Sequence, residues 1–150
     1  MYKHYDTDEH ISLHDCRATK AKYEDGTISF HFPDGFWVWS ENGNPTVRTD
    51  ASEVRFRLES EDETDITIYV FVKKGKHIIR KEWELKKLIK KINSGKYELE
   101  FLYQYKAYHA QIFECWLWFD KKPYHMECEL KMSTDKATYC WNELCKDRVW

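Results

Sequence analysis

Hydrophobic and polar residues alternate along much of this chain, and the alternation predicts β-strands. The clearest run is residues 28–32, where apolar and polar side chains alternate at every position. This two-residue period is typical of a strand with one buried face. Asp25-Gly26 and Pro33-Asp34-Gly35 flank the run, and both are turn sequences because glycine accepts a positive φ. Residues 10–39 are therefore predicted to form three consecutive antiparallel strands. The rest of the chain continues the same pattern.

Similar patterns recur to the end of the chain and predict about nine strands in all. Residues 66–72 are apolar on both faces, which predicts a central strand. Residues 41–45 are rich in turn formers and predict a loop. In residues 97–105, Leu99, Phe101, Tyr103 and Tyr105 are predicted to share one face. The other predicted strands are 13–23, 36–40, 53–58, 77–80, 112–119, 126–132 and, with the weakest pattern, 137–141.

One amphipathic helix is predicted at about 83–94. Leu85, Leu88, Ile89 and Ile92 follow the i, i+3, i+4, i+7 spacing of a helical face, and lysines occupy the opposite face. Trp83 falls on the lysine side and fits the preceding turn equally well. The predicted fold class is therefore α+β and predominantly antiparallel β, a sandwich or barrel-like meander with one helix.

Length and composition narrow the class of protein. A chain of 150 residues predicts a single domain spanning 1–150. The net charge is −2, the first ten residues are polar, and no apolar run approaches the roughly 20 residues of a membrane helix. An odd number of cysteines, five, favours reduced thiols. We therefore expect a cytoplasmic protein with no membrane association.

Histidines and cysteines supply two candidate zinc-ligand sets, and the spacing argues against the first of them. One set combines His125 and Cys128 with Cys140 and Cys145, but residues three apart on a strand point to opposite faces. The other set is His10, His14 and Cys16, which share one face if their strand is regular. Buried thiols and surface histidines are the alternative explanation of both sets. His14 and Cys16 also supply the residue types of a Cys–His nucleophile, but no nucleophile elbow surrounds Cys16. We predict no metal, no cofactor and no catalytic residue.

Charged residues support two further hypotheses. Glu98 with Glu100, and Glu127 with Glu129, could act as paired carboxylates in a small hydrolase, although a solvated sheet face explains the same alternation. Residues 73–96 contain ten basic side chains and two acidic ones. Such a segment could neutralise phosphates. Its lysines lie opposite the apolar stripe of the helix, where a solvated face is expected, so we do not expect nucleic acid to be a partner.

Aromatic residues make up 17% of the chain, including seven tryptophans. Trp37 and Trp39 lie on the strand face opposite Phe36, and Trp116 and Trp118 lie opposite Leu117. Large rings on both faces of a strand can line a ligand pocket or a partner surface. A two-layer core, with the helix covering the second face, is the alternative.

The segment Leu13-His14-Asp15-Cys16, followed by strand, Asp-Gly, strand and Pro-Asp-Gly-Phe, resembles the opening of small uncharacterised bacterial β-rich proteins. Some of these are grouped with the immunity proteins of toxin systems. The resemblance implies a bacterial cytosolic protein that binds another protein and is not an enzyme. No functional residue of those proteins can be matched to a residue of this chain.

Three functions are compatible with these features. The leading hypothesis is a non-enzymatic protein-interaction domain. Such a domain could be an immunity-type binder, or it could form a homodimer. Acidic residues 59–65 and basic residues 73–96 would steer a charged partner towards it. The second is a small-molecule-binding β-barrel or sandwich, and the third is a small hydrolase. The candidate binding residues are His14, Asp15, Trp37, Trp39, Trp116 and Trp118.

Overall fold

Antiparallel pairing connects every strand in the part of the chain that the structure describes. The computed structural model describes residues 1–7, 10–39, 46–135 and 137–149. Strands make up most of the fold, which confirms the predicted α+β class with dominant antiparallel β. The strands in the described residues are β1 (His4–Asp6), β2 (Ile11–Ser12), β3 (Cys16–Ala18), β4 (Lys20–Glu24), β5 (Thr27–Phe32), β6 (Trp37–Val38), β7 (Val47–Thr49), β8 (Ser52–Arg57), β9 (Ile66–Lys74), β10 (His77–Trp83), β11 (Tyr97–Ala107), β12 (Ala110–Phe119), β13 (His125–Met132), β14 (Ala137–Trp141) and β15 (Leu144–Val149).

The strands form three sheets. A five-stranded sheet has the order β1-β14-β8-β5-β4, and a six-stranded sheet has the order β10-β9-β13-β12-β11-β3. A small sheet of four strands has the order β15-β7-β6-β2. None of the three sheets closes on itself, so the architecture is sandwich-like and the barrel alternative is wrong.

Phenylalanine rings join the two large sheets. Phe30 of the five-stranded sheet lies 5.3 Å from Phe101 of the six-stranded sheet, measured between ring centroids. Phe56 lies 5.3 Å from Phe113 in the same way. All four side chains are at most 1% exposed. Edge-to-face packing of this kind adds to the burial energy of each ring, so these contacts define the centre of the core.

The helix α1 (Leu85–Asn93) closes one side of this core. Its buried residues, Leu85, Leu88 and Ile92, belong to the same apolar cluster as the sheet residues. The Asn93 side chain accepts a hydrogen bond from the backbone N–H of Ala21 and donates one to the Ala21 carbonyl, both 2.9 Å long. Asn93 thereby provides hydrogen-bond partners for two backbone groups on the free edge of β4. Because α1 spans nine residues, no helix in the described part of the chain is long and apolar enough to cross a membrane.

Several predicted boundaries are corrected by the structure. About nine strands were predicted, and the described residues contain fifteen, because two- and three-residue strands carry no readable alternation. The predicted strand 13–23 is divided into β3 and β4. Trp83 belongs to β10 rather than to the helix. The loop predicted at 41–45 lies outside the described residues.

The most consequential difference lies within β11. The pairing of β11 with β12 shifts register between Phe101 and Tyr103. A β-bulge of this kind adds one residue to one strand and reverses the faces beyond it. Phe101 is therefore buried, whereas Tyr103 and Tyr105 are 56% and 52% exposed. The prediction that these three aromatic residues share one face is wrong.

Candidate functional site

The Leu13–Cys16 turn is attached to the bulge of β11. The Cys16 N–H donates to the Leu13 carbonyl at 2.9 Å, and Asp15, with φ of 59°, donates its N–H to the Phe101 carbonyl at 2.8 Å. The His14 ring forms a close contact from Nδ1 to the Leu102 carbonyl. A carbonyl oxygen can only accept a hydrogen bond, so Nδ1 carries the proton. His14 and Asp15 therefore hold the turn against the sheet.

Trp37 joins this turn, whereas Trp39 does not. The Trp37 indole N–H donates to the His14 carbonyl at 3.1 Å, and the Arg48 guanidinium lies 5.0 Å from the centre of the Trp37 ring. Trp39 lies beyond the end of β6, where its N–H donates to the His10 carbonyl at 2.6 Å. Of the candidate binding residues, His14, Asp15 and Trp37 come together, and Trp39 is apart from them.

Trp116 and Trp118 lie on the outer face of the six-stranded sheet. Their ring centroids are 5.6 Å apart, and the His125 ring lies 4.6 Å from the first and 5.0 Å from the second. The Arg17 guanidinium stacks 4.4 Å from the centre of the Trp118 ring. The helix does not cover this face, because its apolar residues enter the core between the sheets. Both tryptophans therefore border solvent on an open sheet face.

Carboxylates converge beside Trp116 on the same face. Glu114 of β12 is the direct cross-strand partner of Glu129 of β13, and Trp116 is the partner of Glu127. Aromatic residues surround them: Tyr103 is paired with Glu114, Tyr69 with Glu129 and Phe71 with Glu127. All of these side chains except Tyr69 border a depression of about 430 Å³. We call this surface the acidic-aromatic patch; it consists of Tyr69, Phe71, Tyr103, Glu114, Trp116, Glu127 and Glu129.

Two cations border the patch. Arg80, the cross-strand partner of Phe71, stacks 4.4 Å from the centre of the Tyr69 ring, and Lys131 follows Glu129 by two residues on the same face of β13. Among the residues that the structure describes, none forms an ion pair with Glu114, Glu127 or Glu129. By contrast, Arg17 contacts Glu98 at 3.3 Å and Glu100 at 3.5 Å near the edge of the sheet. Like charges directly opposite each other on neighbouring strands are destabilising. The patch therefore carries an electrostatic cost that the neighbouring glutamates do not.

A basic surface lies elsewhere, along the helix. Lys87 stacks 4.6 Å from the centre of the Trp83 ring, and Lys91 stacks 4.9 Å from that of Tyr97. These lysines, with Lys90, Lys96 and Lys121, border a groove of about 570 Å³. This lysine-lined groove lies apart from the acidic-aromatic patch.

Cys16 and Cys128 are poor candidates for nucleophiles. Burial is the main cause that raises the pKa of Cys16 to about 12, and it does the same for Cys128. A nucleophilic thiol instead needs a lowered pKa and solvent access. Cys128 points into the core while His125 lies on the outer face, so this pair cannot share a zinc ion.

These burial differences predict that one cysteine of five reacts rapidly in the folded protein. Cys145 is partly exposed, whereas Cys16, Cys115, Cys128 and Cys140 are buried. Titration with a disulfide reagent such as DTNB should therefore release one equivalent of thiolate quickly under native conditions and five in guanidinium chloride. Two or more fast equivalents in the native protein, or a fast phase that persists in Cys145→Ser, would contradict the assignment.

We compared this chain with protein families, curated proteins and solved structures. No family model, curated protein or solved structure matches this chain significantly. The site is therefore defined by its own geometry. Sequence reasoning selected Trp116, Trp118, Glu127 and Glu129 but missed the opposition of Glu114 and Glu129. The outward position of Glu114 was readable from the alternation, whereas its partner depends on the register between β12 and β13.

Proposed function

We propose that this protein is a non-enzymatic protein-interaction domain whose acidic-aromatic patch receives basic side chains of a partner protein. The observation that carries the proposal is the direct cross-strand opposition of Glu114 and Glu129, neither of which forms an ion pair among the described residues. The resemblance of residues 13–36 implies a protein that binds another protein, and immunity-type binding of a toxin would be one form of this function.

The energetics of the patch favour a basic partner. A lysine or arginine placed between the two carboxylates would replace their repulsion with charge-assisted hydrogen bonds, each worth about 1.5–3 kcal/mol. The faces of Trp116 and Tyr103 could add cation–π attraction of about 0.5–2 kcal/mol. Tryptophan and tyrosine are also the residue types that most often dominate binding energy at protein interfaces. The two carboxylates and the two aromatic rings would therefore bind the same lysine or arginine side chain of the partner.

The shape of the patch suits a macromolecule. Tyr103, Glu114 and Glu127 are all exposed, so the rings and carboxylates form an open surface. Small-molecule sites instead bury most of their ligand in a concave pocket. A protein surface that presents several basic residues can cover an open sheet face of this size.

Affinity capture with a charge-reversed variant tests the proposal. The wild-type domain and the double variant Glu114→Lys/Glu129→Lys would be immobilised, and bound proteins from source cells quantified by mass spectrometry. The control Glu63→Lys/Asp147→Lys makes the same change in net charge at exposed positions away from the patch. We expect a protein with a basic surface to be retained by the wild type and the control and lost by the patch variant. Equal retention by all three domains would refute the assignment of the patch.

The proposal also predicts that neutralising one carboxylate stabilises the folded domain. Glu129→Gln removes the repulsion from Glu114 and should raise the free energy of unfolding by about 0.2–1 kcal/mol, as measured by urea denaturation. The same variant should bind the captured partner more weakly. Glu98→Gln is the matched control, since it removes a contact with Arg17 and should not stabilise. A loss of stability in Glu129→Gln would contradict the proposed repulsion.

One observation favours a small-molecule ligand as the second candidate function. A groove of about 320 Å³ adjoins the patch and is lined largely by apolar residues, among them Val72, Ile78 and Met126, with His125 at its side. His125 also contacts Trp116 and Trp118, so a ligand in this groove should alter their fluorescence. A metabolite panel that leaves tryptophan emission unchanged would remove this candidate.

A further inference from the structure

Three chain segments that are distant in sequence meet at a cluster of potential metal ligands. Glu59 follows β8, His109 lies in the turn between β11 and β12, and Asp135 lies between β13 and β14. Backbone contacts hold two of these segments together: the Glu59 N–H donates to the Ser133 carbonyl at 2.9 Å. The Thr134 hydroxyl, beside Asp135, donates to the Arg57 carbonyl at 2.6 Å. The ligand positions are thus set by the folded sheets.

The contacts around His109 leave a buried nitrogen unsatisfied. His109 Nδ1 lies 2.6 Å from Glu59 Oε1 and 2.5 Å from Asp135 Oδ1. Nδ1 is shielded from solvent, yet it has no hydrogen-bond partner in the described part of the chain, because neither oxygen lies in a suitable direction. One ring nitrogen offers one proton or one lone pair. It cannot satisfy two carboxylates, and a cation between the three atoms would satisfy all of them.

We infer that Glu59, His109 and Asp135 form a binding site for a divalent transition-metal ion of the zinc class. One imidazole nitrogen and two carboxylate oxygens are ligands that Zn²⁺ accepts, and a three-residue set leaves a coordination position for water. The imidazole ligand argues against Mg²⁺ and Ca²⁺, which prefer all-oxygen sites. Between 37% and 53% of each side chain is exposed, so the ion can enter from solvent.

The site needs only a small adjustment to hold the ion. Zinc at about 2.0–2.1 Å from each donor in tetrahedral geometry places neighbouring donors about 3.3 Å apart. The two nitrogen–oxygen separations, 2.6 Å and 2.5 Å, would therefore lengthen by less than about 1 Å. Rotation of the partly exposed Glu59 and Asp135 side chains can supply this change while the backbone stays in place.

Zinc titration of the metal-stripped full chain tests the inference. Native mass spectrometry should show one bound Zn²⁺, and a hundredfold excess over the dissociation constant should raise the melting temperature by roughly 5–10 °C. His109→Asn should lose both effects, and it should still fold because asparagine tolerates the positive φ of 53° at this position. Asp135→Asn should weaken zinc binding at least tenfold.

Two controls separate this site from adventitious binding. His77→Gln removes an exposed histidine on β10 and should leave zinc binding unchanged. Cys145→Ser removes the partly exposed thiol, and one zinc should still bind. The inference is overturned if the wild-type chain binds zinc no more tightly than His109→Asn, or if either control variant loses the ion. In that case Glu59, Asp135 and His109 make only the contacts described above.

Discussion

Replacing Gly35 by alanine is expected to destabilise the protein by about 3 kcal/mol or more. Gly35 ends the Pro33-Asp34-Gly35 turn with φ of +76°, a conformation that costs an L-residue about 1–2 kcal/mol. An added Cβ would also lie 2.1 Å from the Thr49 carbonyl oxygen and 2.6 Å from that of Asp50. Both obstacles are backbone atoms, so β7 itself would have to move. Urea denaturation monitored by tryptophan fluorescence measures the loss.

Gly75→Ala is the matched control for this prediction. Gly75 also has a positive φ, of +61°, but an added Cβ there has no neighbour within 4 Å. Alanine at this position should therefore cost only the conformational energy, about 1–2 kcal/mol. If the two variants lose equal stability, the close approach of Gly35 to β7 is not the cause of its effect.

The two glycines also show what sequence can and cannot predict about this fold. Pro33-Asp34-Gly35 and residues 73–76 both carry clear turn chemistry, and both turns are present. The difference between them comes from β7, a three-residue strand that has too few positions to show a period. Local signals therefore predict where the chain turns, whereas the cost of altering a turn depends on which distant segment lies against it.

The candidate sites also combine features that local sequence patterns predict with features that depend on distant segments. Trp116, Trp118 and Glu127 are recognisable from the sequence because strand alternation places them outward. The opposition of Glu114 and Glu129 requires the register between β12 and β13, which the intervening turn at 120–124 determines. The Glu59, His109 and Asp135 cluster requires three loops to meet at one end of the sandwich. No spacing along the chain reports contacts of that kind.

The separation of the lysine-lined groove from the acidic-aromatic patch would orient a basic partner protein as it approaches. The acidic-aromatic patch lies on the six-stranded sheet, and the lysine-lined groove lies along α1. A basic partner would be attracted to the first surface and repelled by the second, which orients the approach more strongly than a net charge of −2 could. Association with the partner should therefore slow as salt concentration rises.

Phe101→Ala is expected to destabilise the protein by about 3–5 kcal/mol. The Phe101 ring lies 5.3 Å from Phe30, 5.5 Å from Phe32 and 5.3 Å from Phe113, measured between centroids. Its removal would leave a cavity where the two large sheets meet, since these neighbours are held by their own strands and can only partly fill the space. The free energy of unfolding from urea denaturation measures the effect.

Tyr105→Ala tests the bulge that separates these residues. Strict alternation along β11 would place both rings in the core, so both truncations would be severe. The register shift between Phe101 and Tyr103 instead turns Tyr105 outward, and its loss should cost less than about 1 kcal/mol. Comparable losses in the two variants would mean that β11 continues without a bulge. The acidic-aromatic patch would then lack Tyr103, because that ring would face the core.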